Sequence, residues 1–580
     1  MRNMLLMTLV VPMMVLAGSN LQPVTALDIN GSNAGAGQRV DGGNPNGPVA
    51  LVGTIDTIGG TTYDWQANGP SLRWLVYSSG YGVHALWMYS ADNTTGFPDR
   101  NMRYNFYDEA VGSWNWIDPD FMQSGVNTYT ARCGYGNLDA DPSSGVAVVA
   151  SHLGTPIRVD GARDMAPGAG IFEYASGTPA TEGYLWPVIS VGQTSKVHAA
   201  VIDDATRLGL YYTKCDPWPT WATPVGMASP QPEPEFPTQS TGASKLSEKV
   251  CVTWEYSAGA PDPGFYRIST DGGASWGNPE ELPWPEAYGT DTSTSYHITA
   301  MQPFYDKDDQ LHIVAGVMPY VAGQGYIIPA QIWHWSPDNT PNWSRITIAT
   351  CDPANLLAAV GYNATYACRP TIGEGPNGNL YVAWEQFDSS NVEPGPPEVL
   401  RADIFVAGSN DNGATWGNSV KITEAGTSSC RFPSIMDKTI MLGTEENLAV
   451  TYEIDQQAGF FVQGEGPATQ NPVVVHWVPT AIVGIAEPPH RPQPVRTEVK
   501  ASPNPFGGRT EISYALPRAT DVSLVVYDAA GRPVADLASG HREAGRYTAT
   551  WDARGLAGGI YFYTLNTDET SLSEKLIVVH

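Results

Sequence analysis

Residues 409–416 read Ser-Asn-Asp-Asn-Gly-Ala-Thr-Trp, and this short stretch decides the fold of the chain. A near copy, Ser-Thr-Asp-Gly-Gly-Ala-Ser-Trp, occupies residues 269–276. In each copy the Ser and Asp side chains can hydrogen-bond backbone groups of a tight turn, and the Gly can adopt a positive φ. The final Trp can then pack between neighbouring sheets. The residues that carry this pattern are Ser269, Asp271, Gly273, Trp276, Ser409, Asp411, Gly413, Thr415 and Trp416.

A short apolar strand recurs through the same part of the chain. Its seven copies are Val83–Trp87, Val146–Ala150, Val197–Val201, Val250–Trp254, Leu311–Ala315, Leu380–Trp384 and Leu448–Tyr452. Successive copies lie 51 to 69 residues apart, and turns rich in Gly, Asn or Asp precede several of them. Repeats of this kind in an all-β chain are typical of propellers. Each unit is therefore predicted to begin as a β-hairpin.

The turn motifs and the repeated strand together resemble the bacterial neuraminidase repeats, or Asp-boxes, of sialidase-like β-propellers. The resemblance implies an all-β propeller over residues 71–485, built from four-stranded blades. Seven strand copies favour seven blades, whereas six are usual in sialidases. A strand near Val49 to Ile58 is expected to close the ring. Weaker versions of the motif occur at Asp108 with Trp114, Asp216 with Trp221, and Asp338 with Trp343.

The start of the chain is typical of a secretory signal peptide. A single positive charge at Arg2 precedes an uncharged apolar run, and small residues up to Ala26 suit signal peptidase. We expect residues 1–26 to be cleaved, and residues 27–70 to form a partly disordered segment that helps to close the propeller. No later apolar run is long enough to span a bilayer, so no membrane span is expected in the mature protein.

The end of the chain is predicted to form a separate module. A Pro-rich linker at residues 486–496 precedes residues 497–580, where strands are expected at 511–516, 522–527, 546–551, 560–565 and 572–579. Its Ser-Pro-Asn-Pro-Phe, Val-Tyr-Asp-Ala-Ala-Gly-Arg, Trp-Asp and Gly-Ile-Tyr-Phe-Tyr segments occur in a specific order. That order resembles the sorting domains of type IX secretion substrates and the Ig-like domain of flagellar-hook-capping proteins. The resemblance implies an Ig-like β-sandwich, recognition by the secretion machinery, and delivery to the cell surface or beyond it.

The overall charge argues against one class of partner. The chain carries 59 Asp and Glu against 31 Lys and Arg, a formal net charge of −28, so nucleic acid and anionic membranes are not expected to bind.

Six cysteines suit an oxidising compartment, and the lack of a C-x-x-C pair argues against structural zinc. Cys351 and Cys368 are expected either to form a disulfide or to be two buried thiols.

The candidate ligand-binding residues are arginines near the predicted inner strands. Because inner strands line the channel of a propeller, Arg73, Arg132, Arg369 and Arg431 could form a cationic mouth for an acidic sugar or peptide carboxylate. Alternatively, Arg369 and Arg431 only pair with neighbouring carboxylates. Sialidases clamp a substrate carboxylate with three arginines, the first within an Arg-Ile-Pro motif that this chain lacks. Catalytic residues are therefore unassigned.

Other polar patterns allow both a structural and a chemical interpretation. Asp139, Asp141 and Ser143 place oxygen atoms at alternate positions before a Gly, as in a calcium loop, although such residues are also common in hairpin turns. No other cofactor is indicated. Two further sets of residues recur at one position of the repeated strand, which favours structural roles for them. The first set is Glu255, Glu385 and Glu453, and the second is His84, His198 and His312.

These observations favour an exported propeller that recognises an extracellular glycan or another surface ligand. An exo-sialidase-like glycoside hydrolase is the first alternative, and a structural component of a surface layer is the second. The absence of Arg-Ile-Pro, and of an assigned Tyr–Glu pair, favours recognition over hydrolysis.

Overall fold

A computed structural model gives the structure of this chain. It describes residues 49–67, 71–228, 239–255, 264–282, 295–321, 324–351, 355–361, 364–483, 498–502, 504–516, 518–543, 545–568 and 570–579. The chain divides into two compact units, Met1–Glu487 and Pro488–His580. The predicted signal peptide and the predicted linker lie outside the described residues. No α-helix occurs within the described ranges, which include 3-10 helices at Phe121–Gln123, Phe461–Gln463 and Thr480–Ile482.

The first unit begins with two strands that belong to later sheets, and its first three sheets follow in chain order. The two early strands are β1 (Val49–Ala50) and β2 (Thr54–Thr61). Sheet 1 contains β3 (Leu75–Ser78), β4 (Gly82–Tyr89), β5 (Asn101–Asp108), β6 (Ser113–Trp114) and β7 (Val126–Asn127). Sheet 2 contains β8 (Cys133–Ala140), β9 (Ala147–Leu153), β10 (Arg158–Asp164) and β11 (Phe172–Ala175). Sheet 3 contains β12 (Tyr184–Val191), β13 (Val197–Asp203), β14 (Leu210–Cys215) and β15 (Val225–Gly226).

Four more sheets complete the first unit. Sheet 4 contains β16 (Ser240–Ala243), β17 (Val250–Glu255), β18 (Gly264–Ser269) and β19 (Glu280–Glu281). Sheet 5 contains β20 (Ser295–Tyr305), β21 (Leu311–Val321), β22 (Gln324–Gly325), β23 (Ala330–Trp335) and β24 (Trp343–Ala349). Sheet 6 contains β25 (Ala367–Glu374), β26 (Leu380–Glu393), β27 (Val399–Ser409) and β28 (Val420–Lys421), and β29 (Thr423–Glu424) pairs with β1. Sheet 7 contains β30 (Ser429–Ile435), β31 (Ile440–Leu442), β32 (Glu445–Asp455), β33 (Asn471–Pro479) and β2.

Each of the seven repeated sequences forms the second strand of one sheet. These strands are β4, β9, β13, β17, β21, β26 and β32. They are buried on both faces, which explains why their sequences are continuous apolar runs rather than alternating ones. Trp87, Trp254 and Trp384 share one position near the ends of three of these strands, and each is at most 1% exposed. Burial of these large side chains between adjacent sheets supplies a major part of the core.

Polar side chains on the first strands tie neighbouring sheets together. The Asn137 side-chain oxygen accepts a hydrogen bond from the backbone N–H of Ile189 at 2.9 Å, which joins sheets 2 and 3. Equivalent bonds join sheets 5 and 6 and sheets 6 and 7. The backbone N–H of Trp74 donates a hydrogen bond to Ser434 Oγ at 2.9 Å, and the two residues are 360 positions apart in the sequence. This last bond joins sheet 7 back to sheet 1.

The outer strand of sheet 7 comes from the start of the described chain. β2 pairs antiparallel with β33, and a bulge separates Thr57 from Gly59 in the register. The sequence assigned this role to the segment near Val49 to Ile58. The start of the described chain therefore shares one sheet with β33, the last strand of the unit in the described residues.

The second unit consists of two antiparallel sheets. The three-stranded sheet contains β34 (Glu498–Ser502), β35 (Arg509–Leu516) and β38 (Gly545–Asp552). The four-stranded sheet contains β36 (Thr520–Asp528), β37 (Pro533–Arg542), β39 (Gly559–Asn566) and β40 (Ser571–Val578). Ile512, Leu524, Trp551 and Leu565, from both sheets, share one buried core. All five strands predicted in this module are present, and the prediction missed β34 and β37.

Candidate functional site

In five sheets the first strand contains a bulge, and one residue in each bulge has a positive φ angle. The affected residues are Tyr135, Trp186, Ala300, Arg369 and Phe432, whose φ angles lie between 49° and 57°. Each lies where the register with the second strand shifts. Positive φ is costly for residues with bulky side chains, and such strain is found mainly at functional sites. The bulges also re-aim side chains at the end of the unit where the first strands begin.

Two of these strained residues belong to a group that we call the mouth cluster. Its members are Tyr63, Arg100, Arg132, Tyr135, His152, Trp186 and Arg207. The hydroxyls of Tyr63 and Tyr135 lie 2.7 Å apart, and the Arg100 guanidinium lies over both rings at 5.3 and 5.4 Å. The backbone N–H of Trp186 donates a hydrogen bond to Nδ1 of His152 at 3.4 Å. The cluster therefore combines side chains from the segment after β2 with others from sheets 1, 2 and 3.

The mouth cluster is cationic. Arg100 donates to the Cys133 carbonyl at 2.9 Å and Arg132 to the Phe97 carbonyl at 2.8 Å. Among the described residues, neither of these two arginines forms an ion pair with a carboxylate. Burial, together with Arg100, lowers the pKa of Arg132. Burial and the nearby charges of Arg100, Arg132 and Arg207 lower the pKa of His152 to about 3, so its imidazole is neutral.

Part of the mouth cluster is open to solvent. Arg132 and Arg207 are exposed, and Tyr135 and Trp186 are half-buried. The Arg207 guanidinium lies 5.2 Å from the Trp186 ring centre. This arrangement offers a ligand an aromatic surface and guanidinium donors side by side.

A layer of aromatic rings supports the mouth cluster. Tyr63 packs edge-on against Phe97 at 4.7 Å, and Phe97 packs against Phe461 at 5.7 Å. Trp65 stacks on Phe460 at 6.0 Å. Packing on both sides of residue 64 therefore fixes the position of the Tyr63 ring.

Arg369 and Arg431 share one carboxylate. Glu385 forms an ion pair with Arg369 and lies 3.4 Å from Arg431 Nε, and it also accepts the Phe432 N–H at 2.7 Å. All three charged side chains are at most 3% exposed. The pairing with a neighbouring carboxylate, which was the alternative expectation for these two arginines, is therefore observed. Glu385 directly follows one copy of the repeated strand, Leu380–Trp384. In this copy, the residue at that position pairs with the two arginines.

Three further carboxylates lie near Arg431, and they hold protons more readily than usual. Burial raises the pKa of Asp64 to about 7, and it raises the pKa values of Glu453 and Asp455 well above their ordinary range. Asp64 accepts hydrogen bonds from the backbone N–H groups of Phe461 and Val462. These bonds hold the segment around Phe461 against the aromatic layer.

Arg73 lies apart from both groups. It lines a cavity near the ends of the first strands, and its guanidinium lies 5.6 Å from the Phe304 ring centre. Thus Arg132 alone of the four predicted arginines belongs to the mouth cluster. The sequence analysis missed the other six members, although an aromatic residue placed directly before Pro or Gly in a first strand, as in Trp186-Pro187 and Tyr135-Gly136, was an available signal.

The two complete turn motifs adopt the geometry expected from their sequences. The Asp411 carboxylate accepts the Thr415 N–H at 2.9 Å and the Thr415 hydroxyl at 2.6 Å, and Ser409 Oγ accepts the Gly413 N–H at 3.0 Å. Trp416 donates to Ser344 Oγ of sheet 5 at 3.0 Å. The other copy has matching bonds around Asp271, Ser269 and Gly273, and Trp276 packs 4.7 Å from Tyr212 of sheet 3. In the weaker motif of Asp338, Trp343 is buried against Trp333. These residues connect sheets and lie outside the mouth cluster.

The proposed calcium ligands have protein partners. Asp139 forms an ion pair with Lys245 at 2.8 Å and accepts the Val191 N–H at 2.7 Å. Asp141 accepts hydrogen bonds from Ser143 and from Ser195 Oγ at 2.8 Å. Within the described part of the chain, no group of three or more His, Cys, Asp or Glu residues is arranged to hold a metal ion.

The recurrent histidines and the cysteine pair also have structural environments. His84 and His198 are buried, and the Nδ1 atom of each lies 2.7 Å from a Tyr hydroxyl on the next strand. Burial lowers the pKa of His84 to about 4 and that of His198 to about 3. Cys368 is a buried thiol whose Sγ lies 3.2 Å from Glu385, so it does not form a disulfide with Cys351.

Comparison with solved structures gives only remote similarities. A polysaccharide lyase, a PL25 ulvan lyase bound to -[GlcA(1-4)Rha3S]-, is 12% identical with a TM-score of 0.42, covering 70% of this chain and 100% of its own. An α-L-arabinanase from Penicillium chrysogenum complexed with arabinobiose is 11% identical with a TM-score of 0.34, covering 64% of this chain and 96% of its own. A thermostable family-43 glycoside hydrolase is 14% identical with a TM-score of 0.29, and the match covers 54% of this chain and 95% of the hydrolase chain. At these TM-scores none of the similarities assigns an activity to this chain.

Sequence comparison is informative for the end of the chain alone. No curated protein has a significant match to the sequence. In the described residues, no helix has the length and apolar character needed to cross a membrane. Residues 500–579 match the family model described as Secretion system C-terminal sorting domain, so this part of the chain is a sorting domain of the type IX kind, as its sequence predicted.

Proposed function

We propose that this protein is an exported recognition protein that binds an acidic glycan at the mouth cluster. One observation carries the proposal: Arg100 and Arg132 have no carboxylate partner among the described residues, and the Arg100 guanidinium lies over the half-buried ring of Tyr135. Guanidinium groups bind carboxylates and sulfates through paired N–H bonds. Rings such as these pack on the apolar faces of sugars.

The electrostatics of the cluster favour an anionic ligand over a neutral one. The chain as a whole is strongly acidic, so a local group of three arginines is a marked exception. A neutral His152 adds a hydrogen-bonding group without another positive charge. An anion entering this site would therefore gain paired N–H donors from Arg100 and Arg132, whereas Arg207 already pairs with Asp204 at 3.4 Å.

Recognition is favoured over sialidase-type hydrolysis by the surroundings of the tyrosines. A Tyr nucleophile needs a neighbouring base, but Tyr63 and Tyr135 hydrogen-bond to each other. Burial raises the pKa of Tyr135 well above its ordinary value, which opposes formation of a phenolate. Tyrosine–carboxylate bonds do occur, as between Tyr77 and Glu109 at 2.8 Å, but that pair lies away from the three arginines.

We further propose that the seven sheets are the blades of one propeller and that the second unit is an Ig-like sandwich. The series of bonds between first strands, which returns from Ser434 to Trp74, supports a closed ring of seven. The shared core of the two sheets in the second unit supports a sandwich. An experimental structure in which the sheets surround no common axis would refute the first assignment.

Binding of acidic saccharides to the mature full-length chain tests the proposed function. Calorimetric titration with oligogalacturonate and sulfated oligosaccharides should give saturable binding, and neutral oligosaccharides of equal length should bind more weakly. The double variant Arg100→Gln/Arg132→Gln should weaken acidic binding by at least about 100-fold, since each of the two lost charged hydrogen bonds contributes about 1.5–3 kcal/mol. Arg163→Gln is the matched control, because Arg163 pairs with Glu173 at 2.5 Å on sheet 2. Turnover of a fluorogenic sialoside would instead support the hydrolase, and an absence of both binding and turnover would support a structural role.

Deletion of the sorting domain tests the proposed route of export. Removal of residues 498–580 should leave the first unit folded but retained in the periplasm of a host with a type IX system. Cell fractionation and limited proteolysis of intact cells measure the outcome. Sequencing of the exported wild-type protein should give an N-terminus at Leu27. Normal surface delivery of the truncated chain would contradict the assignment.

A further inference from the structure

The first unit contains a cavity of about 130 Å³ that no residue of the mouth cluster lines. Four of its lining residues, Asp139, Asp306, Glu374 and Asp437, lie at or just beyond the ends of first strands, whereas Ser71 and Arg73 precede β3. The lining comes from the first strands of sheets 2 to 6 and from residues next to β3 and β30, so the cavity lies where the first strands converge. It has room for a sulfate, a phosphate or a small carboxylate.

The carboxylates that line this cavity already have partners. Asp139 pairs with Lys245 at 2.8 Å, and Asp306 lies 3.3 Å from His312. Glu374 accepts the Lys307 N–H at 2.9 Å, and Asp437 accepts the Tyr77 N–H at 2.8 Å.

One of these groups, Glu374, carries less negative charge than an ordinary carboxylate. Burial raises its pKa to about 7, so the side chain is partly protonated near neutral pH. Lys438 lies 4.0 Å from the same carboxylate. The charges of Glu374 and Asp139 are therefore partly compensated within the lining.

Arg73 is the exception among the lining charges. Its backbone carbonyl accepts the Leu138 N–H at 3.0 Å and the Asn137 side-chain amide at 3.1 Å, which fixes the residue at the edge of the cavity. Its guanidinium contacts the Phe304 ring, but it forms no ion pair with a carboxylate in the described residues. Gln302 also lines the cavity, and its side-chain oxygen accepts the Ile372 N–H at 2.9 Å, which leaves its amide nitrogen as a donor.

We infer that this cavity is a second binding site, in which the Arg73 guanidinium and neighbouring neutral donors bind a small oxyanion. The bound group is a sulfate, a phosphate or a carboxylate, as a free ion or as the end group of a larger ligand. A half-buried guanidinium without a carboxylate partner binds such a group strongly because its N–H donors match two oxygen atoms at once. The inference is independent of the acidic glycan proposed for the mouth, since the two sites share no residue.

The test uses the mature full-length chain and sodium sulfate, sodium phosphate and sodium acetate, with sodium chloride at equal ionic strength as reference. The Arg100→Gln/Arg132→Gln variant removes anion binding at the mouth cluster, and calorimetric titration of this variant should still give one site for at least one of the three oxyanions. Adding Arg73→Gln to this variant should weaken that binding at least 10-fold, and adding Arg73→Lys should weaken it less. Equal binding with and without Arg73→Gln in this background, or no binding in this background, would overturn the inference.

A second measurement applies if Arg73→Gln does not fold. Crystals of the wild-type protein soaked in sodium selenate should show an anomalous peak beside Arg73, and a peak at the mouth cluster alone would overturn the inference. Titration with glucose 6-sulfate then distinguishes the two sources of the anion. Binding of both sulfate and glucose 6-sulfate assigns the site to the end group of a larger ligand, whereas binding of sulfate alone assigns it to the free ion.

Discussion

Replacement of Glu385 by Ala is expected to lower the free energy of unfolding of the first unit by about 3–5 kcal/mol, the usual cost of breaking a buried ion pair by removing one partner. Glu385 is fully buried and is shared by Arg369 and Arg431, which are themselves at most 3% exposed. Without the carboxylate, both buried guanidinium groups would lose the charged partner that they share. The Phe432 N–H would also lose its acceptor.

Tryptophan fluorescence during urea unfolding measures this effect in the mature chain. It reports on the first unit, because 17 of the 18 Trp residues precede residue 488. Glu248→Ala is the matched control, since Glu248 pairs with Lys196 at a surface site where the effect should be about 0–1 kcal/mol. The combined replacement Arg369→Met/Glu385→Leu/Arg431→Leu should recover part of the loss, because an apolar set removes the buried charges. A single Glu385→Ala variant as stable as wild type would show that the two arginines find other partners.

Replacement of Gly413 by Ala is expected to lower the free energy of unfolding by about 2–4 kcal/mol, the sum of backbone strain and overpacking. Gly413 has a φ of +73°, and a Cβ atom there would collide with the imidazole ring of His334 in sheet 5. His334 cannot easily move, because it is buried and its ring contacts His312 at 2.8 Å and Trp416 at 5.5 Å.

Gly443→Ala provides the control for this second prediction. Gly443 has a similar φ of +64°, but a Cβ atom there would meet nothing within 4 Å. Its replacement should therefore cost only the backbone strain, about 1–2 kcal/mol. The same fluorescence measurement compares the two variants. Equal losses at both positions would mean that the turn at residues 409–416 does not depend on close packing against sheet 5.

The two missed strands of the sorting domain illustrate one limit of sequence patterns. The five predicted strands alternate apolar and polar residues because one face of each packs in the core. In β37 most residues are exposed or half-buried, and the strand pairs along one edge with β36 only. Such a strand is held by backbone hydrogen bonds to its neighbour, so its sequence carries little periodic signal.

The four predicted arginines illustrate a second limit. Arg369 and Arg431 were recognised as neighbours of first strands, but their shared contact with Glu385 depends on how sheets 6 and 7 pack. The bulge at Arg369 also turns its side chain away from the direction that simple alternation predicts. Arg100, a member of the mouth cluster, had no sequence motif to mark it.

The sequence by itself determined the repeated strand, the tight turns at residues 269–276 and 409–416, and the sorting domain at the end of the chain. Each depends on short-range chemistry: an apolar run, side chains bonded to their own turn, or a contiguous family pattern. The tertiary structure alone decided which charged residues pair with an opposite charge and which residues form the mouth cluster. Tyr63, Arg100, His152 and Trp186 come from distant segments, and they meet only because the closing segment and the bulged first strands bring them to one end of the unit.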